Sequence, residues 1–140
     1  MNYILDTNVI SELVAVKPNE KVIRWISELD PDQVYLSVVA IGELKKGIDK
    51  LPDSIRRELL DQWLQDDLLV RFKDHILPID VETMLLWGAM NARLEKSGRP
   101  VSAIDAILAA TALQHRCTLV TRNTDHFENT GIPIKNPWNN

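Results

Sequence analysis

Cysteine is nearly missing from this chain. Cys117 is the only one among 140 residues, so no intrachain disulfide can form and nothing points to an oxidising compartment. Its neighbours Thr118, Leu119 and Val120 make it a buried strand residue, since a reactive thiol needs a basic partner to lower its pKa. Glycine is scarce too, with five in all and no glycine-rich phosphate loop. The three histidines, His75, His115 and His126, are scattered without the spacing of zinc ligands. No run approaches the roughly 18 apolar residues that a transmembrane helix needs. The N-terminus shows no basic-and-apolar leader, so a soluble, cytoplasmic protein without membrane association is expected. Positive charge is in deficit. Sixteen Lys and Arg stand against 20 Asp and Glu, a net charge of −4, so any polyanion would need a local basic rim and a metal.

What is present is ordinary globular composition, 45% hydrophobic and 26% charged, at a length that suits one domain over residues 1–140. Short β-branched runs at 2–5, 34–36, 76–79, 117–121 and 132–135 alternate with segments of helical period. That alternation predicts a five-stranded, mostly parallel sheet with helices on both faces. Helices are expected from near Asn8 to before Lys17, from Glu20 to Leu29, from Ser37 to Ile48, from Ser54 through Val70, over 81–96, and over the alanine-rich segment 104–113. Val22, Ile26 and Leu29 form the core stripe of the second. Ile55, Leu59, Trp63 and Val70 mark the long fourth one.

Three acids recur at comparable places. Asp6 closes the run Tyr3-Ile4-Leu5, Glu43 follows Val34-Tyr35-Leu36 by seven positions, and Asp105 opens the alanine-rich helix. Ligands of open parallel sheets sit beyond the carboxyl ends of the strands, so these acids can converge on one crevice. Three carboxylates there repel one another unless a cation joins them, and a hard divalent ion such as Mg²⁺ or Mn²⁺ takes oxygen ligands. Each acid also has a structural reading. Asp6 before Thr7 and Asn8 suits a helix cap, Asp105 three residues after Ser102 suits a capping box, and a lone helical glutamate is commonly solvated.

The segments Leu5-Asp6-Thr7-Asn8-Val9-Ile10-Ser11-Glu12-Leu13, Glu43-Leu44-Lys45-Lys46-Gly47-Ile48, Asp105 to Ala112 and Thr121-Arg122-Asn123 resemble the PIN-domain nucleases, in that family's order and spacing. Within it the chain resembles the VapC and FitB group of toxin–antitoxin ribonucleases, down to Asn136-Pro137-Trp138. The resemblance implies a doubly wound α/β/α sandwich and Mg²⁺- or Mn²⁺-dependent endoribonuclease activity. It also implies homodimers, with higher assemblies once the antitoxin joins, and inhibition by a small DNA-binding antitoxin through an Arg-bearing segment. It assigns Asp6, Glu43 and Asp105 to the metal and catalytic site. The fourth family position, often aspartate, is Asn123 here, a neutral oxygen ligand, and Asp125 lies two residues on as a substitute acid.

Thr7, Asn8 and Thr121 sit at the same strand ends and are candidates to hold the carboxylates, or plain turn and cap residues. Arg122, Lys45, Lys46 and Arg99 are candidates to meet RNA phosphates. Trp25, Trp63 and Trp87 fall on apolar helix faces as core or interface residues. The face bearing Trp63, Leu64 and Leu68 is open to a partner, a second copy or the core. Two other readings stay beside the nuclease. One is an inactive PIN-like binding partner. The other is a phosphatase with Asp6 as covalent nucleophile, like the haloacid-dehalogenase group, although that group wants a second acid where Asn8 stands.

Overall fold

A computed structural model describes residues 1–139. Its sheet has five strands, β1 (Asn2–Leu5), β2 (Val34–Ser37), β3 (Ile76–Leu77), β4 (Cys117–Val120) and β5 (Ile134–Lys135), in the spatial order β3-β2-β1-β4-β5. All four pairings are parallel, where a mostly parallel sheet was expected. β3 and β5 are two residues long rather than four, because only Ile76, Leu77, Ile134 and Lys135 find ladder partners at the sheet's edges.

The sheet alternates as a strand buried on both faces must. Leu5 and Val120 turn toward one core with Leu36, while Ile4, Cys117 and Leu119 turn toward the other. The first core is closed by α1 (Thr7–Glu12), α2 (Glu20–Ser27), α3 (Val38–Asp49), α4 (Ile55–Trp63) and α5 (Leu69–Arg71). The second is closed by α6 (Val81–Lys96) and α7 (Ala103–Gln114). α7 owes its close fit to small side chains, with Ala106, Ala109, Ala110 and Ala112 all buried. α6 ends where Gly98 turns left-handed at φ 71°. No helix among the described residues is long and apolar enough to cross a membrane.

One expected stripe is corrected. Between α4 and α5 the helix continues through a π turn at Leu64–Leu68, and the buried residues are Leu64, Leu68 and Phe72, with Leu60 half-buried. Ile55, Leu59 and Val70 are exposed instead. Residues spaced by four drift about 40° per step around an α-helix, and the wider π turn winds that drift back. The same result places Leu64 and Leu68 in the core and removes them as a partner surface; Trp63 is half-buried at its edge.

The strand order reverses between β1 and β4. A crevice therefore opens at their carboxyl ends, where neighbouring crossovers leave in opposite directions.

Candidate active site

Asp6 stands at that switch point. It leaves β1 in extended geometry, its side chain accepts from the Thr7 N–H at 2.7 Å, and it thereby caps α1. The capping role and the site role coexist, because the second carboxylate oxygen points to β4 and accepts from the Thr121 hydroxyl at 2.8 Å. Asn8 adds a long bond of 3.4 Å to the same oxygen, and its own side-chain oxygen accepts from the Arg122 N–H at 3.2 Å. The Asn123 N–H donates to the Thr121 hydroxyl oxygen at 3.0 Å. Thr7, Asn8 and Thr121 thus tie β1 to the loop after β4, and hold the carboxylate in one orientation.

The other two acids come from helices. Glu43 is half-buried in the middle of α3, which leaves the carboxyl end of β2 behind its Ser37 cap, and it accepts from the Thr7 hydroxyl at 2.8 Å. Asp105 lies in the first turn of α7. Its N–H donates to the Ser102 hydroxyl at 3.3 Å, which is one half of the expected capping box. Its carboxylate meets His126 Nδ1 at 3.1 Å.

Burial pushes the Asp6 carboxyl above its ordinary pKa. The Thr121 and Thr7 hydrogen bonds pull it down, and the charges of Asp105 and Glu43 push it further up. Asp6 therefore feels the charge of both other acids. Ion pairs among the described residues join Lys45 to Asp49 and Asp61 and Arg57 to Asp49 and Asp53, His126 meets Asp105 as a pair that is ionic only with a protonated imidazole, and none reaches Asp6 or Glu43. Carboxylate and hydroxyl oxygens with uncompensated negative charge are the donor chemistry of a hard divalent cation. As the side chains stand, no group of three His, Cys, Asp or Glu among the described residues forms a ready cage. Glu43 is engaged by Thr7 and Asp105 by His126.

The remaining candidates divide. Asn123 and Asp125 are exposed, at the start of and within the 3₁₀ turn Thr124–His126. Arg122 is exposed, with its guanidinium 5.2 Å from the centroid of the Trp138 ring. Lys45 is occupied by Asp49 and Asp61, which sets it on the α3–α4 surface, and Lys46 is exposed on α3. Arg99 is exposed and donates to Asn129 Oδ1 at 2.8 Å. Cys117 is buried in β4, and burial pushes its thiol pKa up. Sequence reasoning passed over His126. Its only signal there is a place three residues beyond Asn123.

Residues 3–133 match the PIN domain. This chain belongs to the PIN-domain family. It is 35% identical to toxin FitB of Neisseria gonorrhoeae, over 96% of this chain and 97% of that one. It is 34% identical to the VapC ribonuclease Y4jK of Sinorhizobium fredii, over 96% of each. The crystal structure of FitAcB from Neisseria gonorrhoeae superimposes with a TM-score of 0.94 at 34% identity, covering 99% of both chains. The match spans the elements that carry Asp6, Glu43 and Asp105. It also sets aside the phosphatase reading, which rested on the first strand alone.

Proposed function

We propose that this PIN-domain chain is a metal-dependent endoribonuclease and the toxin half of a toxin–antitoxin pair acting in the cytoplasm. The observation that carries the reading is the placement of Asp6 at the switch point between β1 and β4, tied to Glu43 through Thr7, whose N–H donates to Asp6 and whose hydroxyl donates to Glu43, with the charge of Asp105 felt at the buried Asp6 carboxylate. Relatives named as a ribonuclease and as a toxin, matched along nearly the whole chain, support it.

Asp6, Glu43 and Asp105 would hold Mg²⁺ or Mn²⁺, with Asn123 as a neutral oxygen donor nearby. When bound, such an ion lowers the pKa of water and withdraws charge from phosphoryl oxygens. The chain's own contribution is positioning. Thr121 and Thr7 fix both Asp6 oxygens, Thr7 also holds Glu43, and Asn8 braces the loop that carries Arg122 and Asn123.

The partners follow from two surfaces. A groove of about 410 Å³ runs from Glu43 along Thr7, Ser11, Val14, Leu44 and Trp63. Its apolar wall suits the apolar face of an antitoxin segment, and Glu43 in its lining suits an arginine carried by that segment. Val81, Met84 and Leu85 form an exposed apolar stripe on α6 and are the face we assign to the homodimer.

The deciding experiment is cleavage of total cellular RNA by the purified protein with Mg²⁺, with Mn²⁺ and with chelator, beside an Asp105→Asn variant. Discrete fragments that need the metal and vanish in the variant are expected. Metal-independent cleavage, or cleavage that survives Asp105→Asn, would refute the assignment.

A further inference from the structure

Beside Asp105 lies a cavity of about 450 Å³ lined by Arg99, Ser102, Asp105, Asp125, His126 and Asn129, with Pro100 and Val101, and it shares no lining residue with the groove at Glu43. Its size falls in the range of pockets that enclose small ligands. We propose that this cavity seats one unstacked nucleobase of the RNA, next to the bond that is cut, and that Arg99 and Asn129 determine which base is accepted. The inference rests on the ribonuclease reading and deepens it.

The lining decides the class of occupant. Asp105 and Asp125 together would repel a phosphate, so an anion is disfavoured. A base edge carries both donors and acceptors. The wall offers both in return: the Arg99 guanidinium, the Ser102 hydroxyl and the Asn129 amide beside carboxylate oxygens. Single-stranded RNA is read in this way, by splaying out a base, pairing its edge, and stacking it on a planar side chain such as His or Arg. His126 supplies such a plane at the cavity wall, and the Arg99 fork is the group that pairs the base edge.

The wall is built rather than incidental. Arg99 is held by Asn129 Oδ1 at 2.8 Å, and Arg93 on α6 donates to the carbonyls of Asn129 at 3.3 Å and Thr130 at 3.2 Å. Phe127 is buried beneath the same loop. Asp105 belongs both to this wall and to the three acids, so a base seated here adjoins the reacting phosphodiester.

Two assays on the full chain test this. Cleavage of a randomised single-stranded RNA library, with fragment ends sequenced, is compared for wild type, Arg99→Ala, Arg99→Lys and Asn129→Ala. Thiouridine-substituted RNA is also photo-crosslinked to Asp105→Asn and the modified peptides are mapped. Loss of one two-pronged base contact should slow cutting of the preferred sequence by about tenfold or more. Other sequences should slow less, so the preference at one position beside the cut flattens. Arg99→Lys should behave like Arg99→Ala, since it keeps charge but not the fork. Crosslinks should fall in 99–102 and 126–129. Wild-type cleavage with unchanged preference in every variant, or crosslinks confined elsewhere, would overturn the cavity assignment alone. No cleavage by the wild-type chain together with no crosslink to Asp105→Asn would overturn the ribonuclease reading and this inference together.

Discussion

Thr121 donates its hydroxyl to the Asp6 carboxylate at 2.8 Å although 115 positions separate the two residues. The bond exists because β1 and β4 are neighbours in register, Leu5 opposite Val120, so the residues that follow each strand emerge side by side. It fixes the carboxylate oxygen that Thr7 leaves free.

Replacing that hydroxyl should therefore weaken the site without dismantling the fold. Thr121→Val keeps the shape but leaves one Asp6 oxygen less constrained. Partners that orient metal-binding groups are typically worth about 10–100-fold in affinity or activity. Titration of Mn²⁺ into the variant, together with its cleavage rate, reads the loss. Affinity and rate equal to wild type would mean that Thr121 does not position Asp6.

The raised pKa of Asp6 has a definite sign for stability. The native state binds this proton more tightly than the unfolded chain, whose carboxyl stays near its ordinary 3.8. Stability linked to the group is therefore full below the ordinary value and declines as pH rises through the raised one. In chelator at neutral pH, Asp6→Asn should melt at a higher temperature than wild type, and the gap should close on acidification toward pH 3.8. Identical melting at neutral pH, or a gap that widens in acid, would contradict this sign.

The π turn makes a contrast within one helix. Leu64 is buried and Leu59 is exposed. Leu64→Ala should cost about 2–5 kcal/mol by leaving a cavity, and Leu59→Ala should stay within about 0.5 kcal/mol of wild type. Urea unfolding of both variants measures the difference. Comparable losses would mean that the helix is wound without the π turn.

The apolar stripe on α6 predicts a quaternary effect. Leu85→Glu places a charge among Val81, Met84 and Leu85, which are exposed in the isolated chain. A dimer using this face should shift to monomer in sedimentation velocity, with the monomer fold retained by circular dichroism. A variant that sediments as wild type does would assign the stripe another role.

Much of the fold was legible in the sequence because its signals are local. Ile4 and Leu5 in a short apolar run and the break at Gly98 are read from a few consecutive residues, and α6 runs from Val81 to Lys96 as its period requires. The first turn of the site was legible for the same reason, since Asp6, Thr7 and Asn8 are contiguous. The α4 stripe was misread because a period of 3.6 was carried through a segment that changes its winding. His126 was missed because its partner Asp105 is 21 residues away and no local pattern links them.

The alternation of strands and helices, the order of the acids and the kind of chemistry that oxygen donors support follow from neighbouring residues alone. That β1 sits beside β4, that Thr121 reaches Asp6, that Leu64 faces inward while Leu59 does not, and that Arg99 and His126 wall one cavity with Asp105 came from long-range packing. Those relations depend on which strands pair and how a helix winds against its core. Both are settled by packing across the whole chain.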